Sequence, residues 1–313
     1  VRFGLVCGFG IGAGVAVQGR INGALGARLA DGVAAAAISF GVGLIVLVVA
    51  FAVSGRLRDG ARRVRRAVSE GVLRPWQLLG GLCGAFFVAC QGLTVAAIGV
   101  TAFTVATVAG QLLSSLAVDR LGLGPSGRTP VTAVRLAGAA LGVVAVLIAG
   151  FGHTRADGAL SVPEALRGTP TVLLIALPAL AGIGLAWQQA VNGKVGAVGG
   201  ALSAALVNFG VGLAALLVIE ALVIVSSGGP ADFPAEPWLY LGGFIGVAFI
   251  ALAALTVRWI GVLLLGLTSV AGQLLASLIL DMLTPTSAGL SVTAIIGCAL
   301  TLVAVAVAAR PQS

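Results

Sequence analysis

The sequence predicts an all-α polytopic membrane protein, with ten transmembrane helices arranged as two inverted five-helix repeats. Three observations carry that expectation. Of the 313 residues 59% are apolar and only 9% charged, with a mean hydropathy of +1.14, whereas roughly a quarter of the residues in soluble chains are charged. Apolar runs near the roughly 20 residues needed to cross a bilayer recur along the chain, without the weak alternation of a membrane barrel. A ten-residue pattern also occurs twice, as GQLLSSLAVD from Gly110 to Asp119 and as GQLLASLILD from Gly272 to Asp281.

Taken in order, the apolar runs place the first five spans at Phe3 to Leu25, Val33 to Val53, Trp76 to Ala97, Gly99 to Val118 and Val131 to Ala149. The second five are Thr171 to Gly193, Ala201 to Val225, Trp238 to Val257, Ile260 to Leu280 and Leu290 to Ala309. Residues 1–150 thus form one repeat, 151–170 an external linker and 171–313 the other. The halves match at a nearly constant offset. Gln18, Asn22 and Gly23 pair with Gln188, Asn192 and Gly193, and Phe40, Gly41 and Gly43 with Phe209, Gly210 and Gly212. Trp76, Gly80, Gly81 and Gly84 pair with Trp238, Gly242, Gly243 and Gly246, and Gly138 pairs with Gly297. Five is odd, so the second copy enters the membrane from the opposite side and the repeats are inverted.

Charge sets the orientation. Seven arginines lie between Arg56 and Arg74 against Asp59 and Glu70, which is most of the net charge of +8. Such a loop is cytoplasmic, which puts both termini in the cytoplasm of a plasma-membrane protein. The equivalent loop from Ser226 to Pro237 then falls outside, and it holds Asp232 and Glu236 with no lysine or arginine. The basic pI of about 10.9 therefore reports topology, and no nucleic-acid partner is expected.

Other chemistry is scarce. Cys7, Cys83, Cys90 and Cys298 lie in apolar runs with no ligand spacing, and His153 is the single histidine. The cysteines read as small buried side chains, with no metal or cofactor expected. The stretch from Phe3 mimics a signal peptide, yet its internal copy from Thr171 argues for a structural helix. The glycines at 8, 10, 12 and 14 follow no strand, so they do not read as a nucleotide loop. Small-xxx-small spacing at Gly80 and Gly84, Gly242 and Gly246, and Gly138 and Gly142 reads as close helix packing.

Candidate site residues come from the polar positions in the runs. On a helix Gln111, Ser115 and Asp119 stand four apart, as do Gln273, Ser277 and Asp281, so each set forms one polar stripe. A glutamine in hydrocarbon is costly without a partner. Gln111 and Gln273 fall about twelve residues into their helices, near mid-bilayer at roughly 1.5 Å per residue, where inverted-repeat carriers hold substrate. Each either lines a substrate cavity or bonds a neighbouring helix, a contact worth about 0.6 to 2 kcal/mol. Ser114, Ser115 and Ser277 either share that cavity or bond their own preceding carbonyls.

Asp119 and Asp281 fall at helix ends on opposite faces, as exposed carboxylates near turns or as gates of the cavity mouth. Gln18 and Asn22 share a face, as do Gln188 and Asn192, which suggests cavity or rim contacts. The glycine after each asparagine reads equally as a helix stop. Glu220 is the one carboxylate well inside an apolar run, with Phe51 at its counterpart. It is either a coupling group or an interfacial charge. Arg20 and Trp187 have no twins of their own kind, so the halves are chemically unequal there, unless Arg20 simply snorkels to the surface.

The pattern of Gln18-x3-Asn22-Gly23, Phe40-Gly41-x-Gly43, Trp76 to Gly84 and Gly110-Gln111-Leu112-Leu113 with Asp119 resembles the drug/metabolite transporter superfamily. Within it the chain is similar to the YdcZ-like family, as a fused double-length member. All four motifs recur in the second half, so only the 151–170 linker lies outside the likeness. The resemblance implies a ten-helix inverted-repeat fold with a central cavity, and movement of small metabolites or drugs across the membrane.

The expected function is therefore a carrier working by alternating access, with a small-molecule substrate, the lipid bilayer as its surroundings, and a monomer or homodimer as its working unit. An enzyme is disfavoured, since the spans hold no nucleophile with a base and no paired carboxylates. A non-transporting membrane scaffold and a channel-like facilitator are the competing readings.

Overall fold

A computed structural model of the chain describes residues 2–123, 128, 132–153, 170–283 and 292–308. Among these are nine α-helices and no strand. They are α1 (Arg2–Leu29), α2 (Gly32–Val53), α3 (Gly55–Ser69), α4 (Gly80–Leu121), α5 (Ala133–His153), α6 (Thr171–Gly199), α7 (Ala201–Ser227), α8 (Gly242–Leu283) and α9 (Val292–Ala308). Short 3-10 turns at Pro75–Leu78 and Pro237–Tyr240 lead into α4 and α8. Arg2–Leu29, Gly32–Val53, Pro75–Val118, Val172–Gly199 and Ala201–Ser226 are each long and apolar enough to cross a membrane. Leu136–Ala145, Thr268–Leu283 and Ile295–Ala304 are apolar but shorter within the described residues.

The 42 residues of α4 are not one rod. Gly99 interrupts the helix with φ 81° and ψ 161°, a backbone region that essentially only glycine adopts. The rings of Phe87 and Phe103 lie 5.5 Å apart, whereas a straight helix would separate them by about 24 Å. The chain therefore doubles back at Gly99 into arms 80–98 and 99–121, here α4a and α4b. Two expected spans, from Trp76 and from Gly99, correspond to these arms. α8 does the same, because Phe249 packs on Gly14 while Ser269 packs on Gly12. Twenty helical residues would otherwise keep those two apart by about 30 Å. Its outgoing and returning arms are α8a, beginning at Gly242, and α8b, ending at Leu283.

The two halves contact each other at equivalent places. α1 packs along α8 and α6 along α4, with α2 on α7 and α5 on α9. The contacts are reciprocal in detail. Gly12 abuts the backbone of Ser269, and Gly182 that of Thr107; Gly272 abuts Phe9, and Gly110 abuts Ala179. Gly243 lies on the backbone of Ser39 and Gly43, and Gly81 on that of Asn208 and Gly212. Gly43 receives the ring of Phe209 and Gly212 that of Phe40, the two rings being 4.9 Å apart at the centre of the main core. Lipid offers helices no hydrophobic reason to associate, so backbone approach at small residues holds such a bundle together.

Two sequence expectations are corrected. Gly23 and Gly193 do not stop their helices, since α1 continues to Leu29 and α6 to Gly199; Gly23 is small because Val95 of α4a packs on it. The arginine-rich loop is mostly helical, as α3. Gly60, Val64 and Ala67 form its buried strip, at the i, i+4, i+7 spacing of an amphipathic helix. Gly60 and Val64 rest on Gly199 of α6. Most of the 151–170 linker lies outside the described residues; α5 runs into its start, as far as His153.

Candidate functional site

The paired amides of α1 and α6 and the paired glycines of α8a and α4a prove to be two sides of one contact. Gln18 lies against Gly246 and Asn22 against Gly242, while Gln188 lies against Gly84 and Asn192 against Gly80. A side chain at any of these glycines would occupy the amide's place. Gln18 Nε2 donates to the carbonyl of Gly242 at 2.8 Å, and Asn22 Nδ2 to Gln91 Oε1 at 2.7 Å. In the second half Gln188 Nε2 and Asn192 Nδ2 both donate to Asn208 Oδ1, at 2.8 and 3.0 Å. These four amides are therefore engaged between helices, and Gln18 and Asn22 are buried. Asn22 Oδ1 and Gln188 Oε1 remain buried acceptors without a donor among the described residues.

The glutamines of the duplicated stripe are less enclosed. Gln111, half-buried on α4b, donates from Nε2 to Gln189 Oε1 of α6 at 3.1 Å. Gln273, half-buried on α8b, has no side-chain partner among the described residues. The twin relation explains the difference, because the position matching Gln189 is Gly19, which carries no amide. The hydroxyls of Ser115 and Ser277 donate back to Leu112 and Leu274, each at 2.8 Å. Ser277 is fully buried as well, so in this conformation it sits in helix packing.

Asp281 does not end its helix in water. It is 4% exposed, and its carboxylate accepts from the backbone N–H of Val100 at 3.0 Å and of Thr101 at 2.7 Å. Those are the first donors of α4b after the reversal at Gly99, which its own helix leaves without acceptors. A carboxylate there also meets the positive end of the helix dipole. One half thus caps the hairpin of the other. The Asp119 side chain lies outside the described residues.

The family model described as "Putative inner membrane exporter, YdcZ" matches residues 3–148 and 173–307. The chain belongs to this family. It is thus a multi-pass membrane protein of the drug/metabolite transporter type, as its motifs imply. A solved chain described only as "Crystal structure of protein" is 22% identical with a TM-score of 0.51, covering 98% of this chain and 95% of that one, which is a likeness of fold. No curated protein matches.

Elsewhere in this YdcZ-family chain, Glu220 is enclosed by protein near Asp31, the N-cap of α2. It is 8% exposed on α7, and both carboxylate oxygens are buried without a partner among the described residues. The slot is apolar in the first half, where Phe51 is buried. Trp187, which has no twin of its own kind, stacks on Trp76 with ring centroids 6.4 Å apart. Sequence reading missed Gln91 and Gln189. Both are polar residues in apolar runs, but their counterparts are Ala253 and Gly19, so a search by duplication passes over them. A plain scan for amides within spans would have found both.

Proposed function

We propose that the protein is a plasma-membrane carrier of ten spans whose inverted halves move a small polar molecule by alternating access. Both termini are cytoplasmic in this reading. The ten spans are α1, α2, the arms of α4, α5, α6, α7, the arms of α8, and α9. Support for the inversion comes from the reciprocal contacts between halves and from the family likeness, which covers each half separately. The arginines of α3 and their absence from residues 226–237 support the orientation.

The carrying observation is the half-buried amide of Gln273, without a side-chain partner among the described residues, at the position that matches Gln111 of the Gln111–Gln189 pair. An amide offers both a donor and an acceptor without charge, so the favoured cargo is a molecule rich in hydrogen-bonding groups. Gln111 and Gln273 are assigned to the path, with Gln189 beside Gln111, while Gln18, Asn22, Gln188 and Asn192 hold the helices that frame it. Asp281 latches the closed mouth at the Gly99 end. Glu220, with Asp31 as its charged neighbour, takes the coupling role, so Glu220→Gln should uncouple transport from an imposed proton gradient.

Purified protein in liposomes, screened with amino acids, nucleosides and cationic drugs, should show saturable flux that Gln273→Leu weakens at least tenfold. Unchanged flux in a normally folded Gln273→Leu protein would remove the site assignment. A protein that shows no substrate-dependent rise in unfolding temperature and no flux would be a scaffold.

A further inference from the structure

α3 is the element of the first half that has no twin among the described residues of the second. Where its counterpart would fall, residues 226–237 carry no lysine or arginine. It lies outside the symmetric exchange of contacts between halves, although it packs on α6 and α7 of the second half. Six of its residues are arginines, and four of those are engaged. Arg62 pairs with Asp59 at 2.7 Å and Arg66 with Glu70 at 2.6 Å. Arg63 donates to the carbonyl of Val198 at 3.1 Å, and Arg58 to those of Phe51 and Ala52 at the end of α2. Arg65 has no ion pair or hydrogen bond among the described residues.

Arg65 stands at a half-open groove of about 310 Å³ between α3, the 3-10 turn before α4 and the start of α7. Its walls are almost wholly apolar, formed chiefly by Ala61, Val64, Val68, Leu206 and Val207. α3 joins the end of α2 to the start of α4a, so the groove lies where the chain leaves the hydrocarbon. A soluble anion would have no use for the apolar slot, and a neutral lipid none for the guanidinium.

We infer that the groove binds an anionic phospholipid, one acyl chain lying along Val68, Leu206 and Val207 and the headgroup phosphate held by Arg65. The guanidinium fork suits phosphate oxygens, and basic residues just outside a span draw anionic lipid to it. The inference rests on the membrane setting alone and is independent of what the carrier transports.

Native mass spectrometry of the detergent-solubilised full chain tests it, with phosphatidylglycerol and phosphatidylcholine of equal chain length as probes. Phosphatidylglycerol is expected to bind more tightly by about five-fold, the contribution of one basic residue near an anionic surface. Arg65→Gln should abolish that preference, and Arg62→Gln, which removes the same charge beside Asp59, should leave it intact. Val207→Phe, which fills the slot, should weaken both lipids. Arg65→Lys keeps the charge without the fork and serves where Arg65→Gln lowers the unfolding temperature; it should retain part of the preference. Equal binding of the two lipids, or equal losses in the two glutamine variants, would overturn the inference. Competition by glycerol phosphate at the lipid concentrations would do so too, by showing a site for free phosphate.

Discussion

Replacing Asp281 by alanine tests how firmly one half holds the hairpin of the other. The carboxylate accepts from two backbone N–H groups at 3.0 and 2.7 Å, and both donors belong to buried residues, Val100 and Thr101. Neither donor has an acceptor within its own helix, and hydrocarbon supplies no water. Losing a helix cap costs about 0.5 to 2 kcal/mol, and leaving a buried donor unpaired costs about 1 to 3 kcal/mol. Relief of the cost of burying a carboxylate offsets part of this. Asp281→Ala should therefore lose about 2 to 3 kcal/mol, and Asp281→Asn, which keeps one carbonyl acceptor, about half as much. Equilibrium unfolding in mixed micelles, followed by far-UV circular dichroism, measures both. An alanine variant within about 0.5 kcal/mol of the parent would mean that the cap contributes nothing and that the hairpin is held by packing alone.

Gly99→Ala should cost about 1 to 3 kcal/mol in the same assay, because its φ of 81° and ψ of 161° are closed to a residue with a Cβ. Gly243→Ala should cost about 1 to 3 kcal/mol through overlap with the backbone of Ser39 and Gly43, while Gly210→Ala, with nothing within 4 Å of the new methyl, should be neutral or slightly stabilising. Gln91→Leu should cost about 1 to 3 kcal/mol, since it leaves the amide of Asn22 with neither bond. Gln111→Leu should reduce flux while lowering stability by no more than about 2 kcal/mol, the upper value for one interhelical amide bond.

The sequence made the apolar helices and the duplication plain because hydrophobic length and repeated polar spacing are local properties. Even the break at Gly99 fell where two apolar runs met. The site was harder to read, since its chemistry is a matter of which helix faces which. The Gln-x3-Asn motif and the Gly-Gly-x2-Gly motif were each visible, but nothing in their order along the chain says that Asn22 lies on Gly242 rather than on Gly80. Asp281 was misplaced for a related reason. A carboxylate at a helix end implies water only while no neighbouring backbone presents bare N–H groups, and the tip of α4 presents two. α3 was hidden by its arginines, which mark orientation so strongly that the strip of Gly60, Val64 and Ala67 beneath them passes unnoticed.

Departures from symmetry point more directly to the chemistry than the symmetry does. Twin halves exchange contacts at Gly12 and Gly182, and at Gly43 and Gly212, with the same residue type on each side, which is sufficient for a scaffold. At a handful of positions one half carries a polar group where the other has a small or apolar one: Gln189 against Gly19, Gln91 against Ala253, Arg20 against Ala190, Glu220 against Phe51. Each polar member costs free energy in hydrocarbon that its twin avoids. A bundle selected for stability alone would have no reason to keep them. Gln91 recovers that cost through Asn22, and Gln189 through Gln111. Glu220 recovers none of it, with both oxygens unpartnered among the described residues. On the proposed function, that expense is what a transported or coupling species would repay, which makes Glu220 and Gln273, whose amide has no side-chain partner among the described residues, the first residues to probe.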